Sequence, residues 1–216
     1  MLTHVPRFYS QQGEDEHLLH TFFKGKTEGM FIELGALDGV LYSNTKFYED
    51  TLGWKGILIE PVPRLFEMLQ NNRSRCEVHQ LAICDQQGEV EFIGEDAYAG
   101  SVHTYGKELM EARKMESKLS SQTYPVQAKP FHEIVDHKRI PKVDLLSVDV
   151  EGGEYEVLNT FDWNIDVSVV IYESSLKWKQ EDLDRCQELM KEKGYTFHER
   201  FHGSEIWYRE DLITPL

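Results

Sequence analysis

The sequence predicts an α/β protein: a single Rossmann-like, doubly wound sheet of about seven strands, mostly parallel, with an antiparallel C-terminal hairpin. Three observations carry this prediction. The runs MFIEL, GILIEP, VDLLSVDV and VSVVIYE are apolar and of strand length, the pattern of strands buried on both faces. Stretches of helical period separate them, so helices cover both sides of one sheet. The chain closes with YTFHERF and SEIWYRE around a His–Gly pair, a hairpin signal.

Taken in order, SQQGEDEHLLHTFF opens on a serine suited to cap a helix and carries Leu18, Leu19, Phe22 and Phe23 on one stripe. MFIEL is the first buried strand. SNTKFYEDTLG is a helix with Phe47, Tyr48, Thr51 and Leu52 inward, stopped by Gly53. After the strand GILIEP, PVPRLFEMLQNN is a helix with Pro63 in its first turn. CEVHQLAI is a third strand, and a QQG turn leads into the alternating strand EVEFI. Residues 94–122 lack apolar periodicity and read as irregular and polar, with GKELMEARKMESKLSS forming a short helix when closed over a pocket. TYPVQAKP is then an edge strand and FHEIVDHK a short helix. VDLLSVDV, the helix EGGEYEVLNTF, VSVVIYE and the helix LDRCQELMKEKG, closed by Gly194, lead to the hairpin.

Length and composition bound the function. The 216 residues fit one domain spanning 1–216, with 1–28 as an N-terminal helical cap and 94–122 as a lid. Hydrophobic residues at 40% and charged residues at 28% describe a soluble globular chain. The apolar runs are too short to cross a bilayer, and the N-terminal stretch lacks the apolar core of a signal peptide. The expectation is a cytoplasmic protein without a membrane partner. Cys76, Cys84 and Cys186 are odd in number and lack CxxC spacing, so they read as free thiols in a reducing compartment. The net charge of −15 argues against nucleic acid, whose binding needs Lys and Arg to replace phosphate counterions.

The strongest local signal is Phe31-Ile32-Glu33-Leu34-Gly35-Ala36-Leu37-Asp38-Gly39. A buried strand ends in a carboxylate, and two glycines punctuate the turn before a helix begins at Ser43-Asn44-Thr45. Ligands of open α/β sheets bind at the carboxyl ends of strands, where glycine allows close approach. A carboxylate there suits a cation, such as the amino group of a methionine moiety, and would repel a pyrophosphate. The GxxxG spacing differs from the GxGxxG of nicotinamide-dinucleotide binders. Glu60 ends the neighbouring strand, where an acid accepts both hydroxyls of a ribose. Leu81-Ala82-Ile83 falls at the tip of the third strand, where an adenine edge meets backbone.

Four stretches together resemble the FkbM-type methyltransferases: Ser10-Gln11-Gln12-Gly13-Glu14-Asp15, FIELGALDGVLYSNT, GWKGILIEPVPRLFEML and VDLLSVDVEGGEYEVL. The resemblance runs from about Ser10 to Glu173. It implies a class I fold, S-adenosylmethionine as methyl donor, and a small-molecule, sugar or peptide acceptor methylated on oxygen or amide nitrogen. It also implies a cofactor lined by Gln11, Glu33, Gly35, Ala36, Asp38, Gly39, Ser43, Asn44, Glu60, Pro61, Ala82 and Asp149.

In that topology Asp149, Glu151 and Glu173 face the reaction centre. Asp149 ends the central strand and suits a general base or an acceptor-orienting group, since a desolvated carboxylate has a raised pKa. Glu154 is read equally well as a charge favouring a helix N-terminus. The expected mechanism is metal-free, with Mg²⁺ held by Asp149, Glu151 and Glu173 as the alternative. His103 reads as a surface residue of the lid. His198 and His202 have metal-like spacing but no third ligand nearby, so they read as a solvated hairpin. The competing functions are an aminopropyl transferase, a nicotinamide-dependent dehydrogenase and a catalytically silent binding module on the same fold.

Overall fold

Each apolar run forms a strand, and a second, smaller sheet lies beside the one they build. The computed structural model describes residues 7–85, 87–105, 107–116, 122–174 and 179–216. The strands are β1 (Met30–Leu34), β2 (Lys55–Ile59), β3 (Glu77–His79), β4 (Ala82–Ile83), β5 (Gly88–Ile93), β6 (Gly100–Ser101), β7 (Thr123–Lys129), β8 (Lys142–Val148), β9 (Asp166–Glu173), β10 (Thr196–Phe201) and β11 (Ser204–Tyr208). The α-helices are α1 (Glu14–Leu18), α2 (Lys46–Leu52), α3 (Pro63–Asn72), α4 (Val102–Tyr105), α5 (Lys107–Met115), α6 (Glu154–Thr160) and α7 (Gln180–Glu192).

The main sheet has seven strands in the order β10-β11-β9-β8-β1-β2-β3. Five run parallel, and β11 runs against both β9 and β10. Within the hairpin, therefore, only β11 is antiparallel to the body of the sheet. Alternate residues of each central strand serve two separate cores. Ile32, Leu34, Leu146 and Val170 join Val157, Leu158 and Met190 from α6 and α7 on one face. Phe31, Leu145 and Val169 join Leu18, Phe23, Phe47, Tyr48 and Trp54 on the other. This division explains why the strands read as unbroken apolar runs. Phe31 lies opposite Gly56, where an added Cβ would stand 1.9 Å from the Phe31 ring. The chain leaves β1 towards β2 and β3, then crosses back to β8 and β9. The β1/β8 junction is thus the switch point of the sheet, where open α/β folds bind ligands.

Several local expectations change. CEVHQLAI does not form one strand. β3 closes the edge of the main sheet, and after His79 the chain peels away so that β4 pairs with Ala128 and Lys129 of β7. β7 is internal to the second sheet, whose order is β4-β7-β5-β6. Its Pro125 is tolerated because β4 reaches only the last two residues of β7, leaving Pro125 with the single neighbour β5. Gly13, with φ 89°, rather than Ser10 holds the N-cap position of α1, but Ser10 Oγ accepts Asp15 N–H of the first turn at 3.2 Å and donates to Asp15 Oδ1 at 2.6 Å. A π-helical turn, Leu19–Phe23, continues α1 and buries Phe22 and Phe23. On α2, Thr51 is exposed and Glu49 is buried, because Glu49 pairs with Arg73 and Arg75. Within 94–122, β6 and α4 replace irregular chain, α5 falls within the expected lid helix, and FHEIVDHK gives only a 3₁₀ turn, Phe131–Glu133. Gln86 of the QQG turn, and Gly106 and residues 117–121 of the expected lid helix, lie outside the described residues. None of Cys76, Cys84 and Cys186 is in a disulfide. Among the described residues, no helix is long and apolar enough to cross a membrane.

Candidate active site

The turn after β1 is pressed against the turn after β8. Asp149 N–H donates to Leu34 O at 3.2 Å, and Gly35 takes φ 73°. A Cβ on Gly35 would stand 1.7 Å from the Asp149 carbonyl oxygen, so only glycine fits both the space and the left-handed conformation. The two loops form one surface at the switch point.

Glu33 lies 3% exposed beneath this surface. Its Oε1 accepts Asn44 N–H at 2.7 Å, and its Oε2 accepts the hydroxyls of Ser43 at 2.9 Å and Thr45 at 2.6 Å. Arg73, wholly buried, stands 3.6 Å from the same Oε2. Arg73 also donates to Gly39 O, Ser43 Oγ and Thr45 Oγ1 and pairs with Glu49. Ser43 Oγ in turn accepts Lys46 N–H at 3.0 Å at the start of α2. Asp38 closes the turn by accepting Val40 and Leu41 N–H. The glycine-rich loop is thus folded around one buried arginine.

Glu60, 2% exposed, bridges the ends of β1 and β2 by accepting Leu37 N–H and Val62 N–H, each at 2.8 Å. Burial pushes its pKa up to about 8, against the pull of those two amides. Each oxygen retains a lone pair for a further donor.

Two cavities adjoin at the switch point. The larger, about 440 Å³, is lined by Leu34, Gly35, Glu60, Pro61, Ala82 and Asp149 among others, with the exposed His103 at its wall. The smaller, about 250 Å³, is lined by Gln11, Gln12, Glu33, Asn44, Arg113 and Glu173 among others. Asp149 and Glu151 belong to both walls. Of the sequence candidates, Ala36, Asp38, Gly39 and Ser43 line neither cavity. Ala36 packs in a core, and the other three shape the loop.

Asp149, Glu151 and Glu173 bring carboxylate oxygens within 4.8 Å of one another. Asp149 is exposed and lines both cavities. Crowding by protein, reinforced by the like charges of Glu14 and Glu33, pushes its pKa up to about 6, while a hydrogen bond with Glu173 opposes the rise. Glu151, at φ 58°, is pushed up to about 8 by burial and by Asp149, partly offset by Arg113. Arg113 Nη2 lies 3.1 Å from Glu151 Oε2, and its guanidinium stacks over Tyr98 and Tyr105. It tethers α5, in the expected lid, to the floor of the site. Glu154, raised to about 7 by burial, accepts Val150 and Gly152 N–H and so holds this loop.

Sequence reasoning missed Arg73, Arg113, Gln12 and Ser147. Ser147, whose hydroxyl accepts from Asn44 at 3.0 Å, had a signal: a polar residue inside the run VDLLSV. Gln12 lies within the SQQGED motif. The two arginines had none, since their partners are distant in the chain.

The seven-stranded order with an inverted β11, and cavities at the carboxyl ends of its parallel strands, define a Rossmann-like methyltransferase fold. The family described as the methyltransferase FkbM domain matches residues 33–197. The chain belongs to this family of S-adenosylmethionine-dependent methyltransferases. Among solved structures, the FkbM methyltransferase of Methylobacillus flagellatus is similar with a TM-score of 0.54 and 14% identity, over 84% of this chain and 43% of that one. This chain therefore spans less than half of that protein's length. Precorrin-6y C5,15-methyltransferase of Geobacter metallireducens has a TM-score of 0.44 and 10% identity, over 88% and 80% of the two chains. Fibrillarin of Aeropyrum pernix, solved with natively bound S-adenosyl-L-methionine, has a TM-score of 0.43 and 12% identity, over 88% and 67%. No curated protein sequence matches the chain.

Proposed function

We propose that this chain moves the methyl group of S-adenosylmethionine to an oxygen or amide nitrogen of a small-molecule, sugar or peptide acceptor. The observation that carries this reading is Asp149, a strand-tip carboxylate common to two adjoining cavities. The larger cavity suits the nucleoside: Glu60 has lone pairs for ribose hydroxyls, and Pro61 and Ala82 wall the space beyond. Glu33, Gly35, Asn44 and Gln11 border the methionine end. The residues fit such a cofactor because Glu14 and Glu33 stand close enough to Asp149 to raise its proton affinity, and Asp149 in turn raises that of Glu151. A ligand carrying positive charge there relieves that repulsion.

When bound, the cofactor supplies an electrophilic methyl on a sulfonium sulfur. The protein's part is alignment and proton removal. An acceptor in the smaller cavity meets Asp149, whose pKa near 6 leaves it ionised at neutral pH and able to take the acceptor's proton. Glu173 orients Asp149 through their shared hydrogen bond. α4 and α5 act as the cover, latched by Arg113 on Glu151.

Calorimetry with S-adenosylmethionine and S-adenosylhomocysteine tests the reading. It expects both to bind; failure of both at millimolar concentration, with NADH binding instead, would overturn it. The convergence of Asp149, Glu151 and Glu173 supports a second mechanism in which Mg²⁺ holds the acceptor oxygen. Undiminished turnover in EDTA supports the metal-free route; loss with rescue by Mg²⁺ supports the other.

A further inference from the structure

We propose that His17, His198 and Glu199 form a binding site for a first-row divalent metal, Zn²⁺ in particular, which staples α1 to β10. His17 lies on α1, whereas His198 and Glu199 lie on β10. The fold brings them together across 182 positions of sequence. His17 Nε2 stands 2.8 Å and His198 Nε2 3.2 Å from one oxygen, Glu199 Oε1. All three donor atoms lie within 4.8 Å of one another. A tetrahedral Zn²⁺ with bonds of about 2.0–2.1 Å sets its ligand atoms about 3.3 Å apart, so the observed separations need little movement.

The donor chemistry matches as well. Two imidazoles and a carboxylate suit Zn²⁺ and its neighbours rather than Mg²⁺ or Ca²⁺. Three protein ligands leave a fourth position for water. The rings are held by packing: His17 stacks on Phe201 with centroids 4.1 Å apart, and His198 meets Phe22 edge-on at 5.1 Å. The three side chains are between 24% and 41% exposed, which gives an ion an entry path. Neither catalytic acids nor cavity walls take part, so the site is separate from the methyl-transfer centre. Its consequence reaches that centre through the chain. His17 N–H donates to Gly13 O, and the residues just before, Gln11 and Gln12, line the smaller cavity. A metal here fixes the segment that forms one wall of the acceptor site.

The test uses the full chain, free of any tag and stripped with chelator, titrated with ZnCl₂ by calorimetry and by thermal unfolding. The expected result is one equivalent bound, with Tm raised by roughly 5–10 °C at a hundredfold excess over Kd. His17→Ala, His198→Ala and the near-isosteric Glu199→Gln should each weaken binding at least tenfold while keeping the wild-type circular dichroism. His79→Ala and His202→Ala should bind as the parent does. Titration with Co²⁺ separates this site from the cysteines, because thiolate ligation adds an intense near-ultraviolet charge-transfer band that this donor set lacks. No binding by the parent, equal binding by Glu199→Gln and parent, or a thiolate band would each overturn the proposal.

Discussion

The loop after β1 and the loop after β8 both follow a strand that ends in a carboxylate, and both turn on glycine. Their electrostatics are opposite. The first encloses Arg73, which has no exposure and touches Glu33, Glu49, Gly39, Ser43 and Thr45. Its acids are satisfied by the protein. The second gathers Asp149, Glu151 and Glu173 around a cavity, with Glu154 buried behind its loop, and the cation that reaches Glu151 is Arg113 from the covering helix. Asp149, Glu151 and Glu154 are raised in pKa, and Asp149 shares a hydrogen bond with Glu173. The difference teaches that one strand-tip acid is framework while its neighbour awaits a partner, although both read alike in sequence.

Breaking the framework should have the largest effect. Arg73→Met strands Glu33 as a buried charge without a cation and leaves Glu49 with Arg75 alone, and urea denaturation should show a loss of about 3–5 kcal/mol. An equally stable variant would mean the loop is not built around Arg73. The same logic predicts the reverse for the second loop. Asp149→Asn relieves repulsion, so stability should hold or rise while turnover falls by about 10²–10⁴-fold, the usual scale for a lost general base. Turnover near the parental value would remove Asp149 from proton transfer.

The contrast can be sharpened by pH. Glu60 near 8, Glu151 near 8 and Glu154 near 7 all lie above the ordinary glutamate value. Between about pH 4.5 and 8 the folded ligand-free chain therefore binds more protons than the unfolded one. Its stability should fall as pH rises through that window. Unfolding midpoints measured from pH 5 to 8.5 check this, and stability that climbs with pH would contradict it. Saturating S-adenosylmethionine should flatten the slope. The smallest effect expected is that of Glu60→Ala on cofactor affinity, a weakening of about 1–3 kcal/mol. Calorimetry giving equal affinities for folded variant and parent would detach Glu60 from the ribose.

Much of this was legible beforehand. β1, β2, β8 and β9 declare themselves because both faces are buried, and Glu33, Glu60, Asp149 and Glu173 could be assigned to strand tips by counting along apolar runs. What stayed hidden depends on long-range partners. Glu49 is buried where a hydrophobic stripe predicted Thr51, since its partner Arg73 lies on another element. The second sheet was invisible because the chain crosses from one sheet to the other inside CEVHQLAI with no glycine or proline to mark the break. His198 lacked a third ligand in the sequence until α1 folded His17 against it.

The most direct measurement of the central claim is a crystal structure of the chain with S-adenosylhomocysteine. The account predicts the nucleoside in the larger cavity, with ribose hydroxyls on Glu60 and the sulfur beside Asp149 at the wall shared by the two cavities. A nucleoside lodged elsewhere, or one that leaves Glu60 bonded only to Leu37 and Val62, would contradict it.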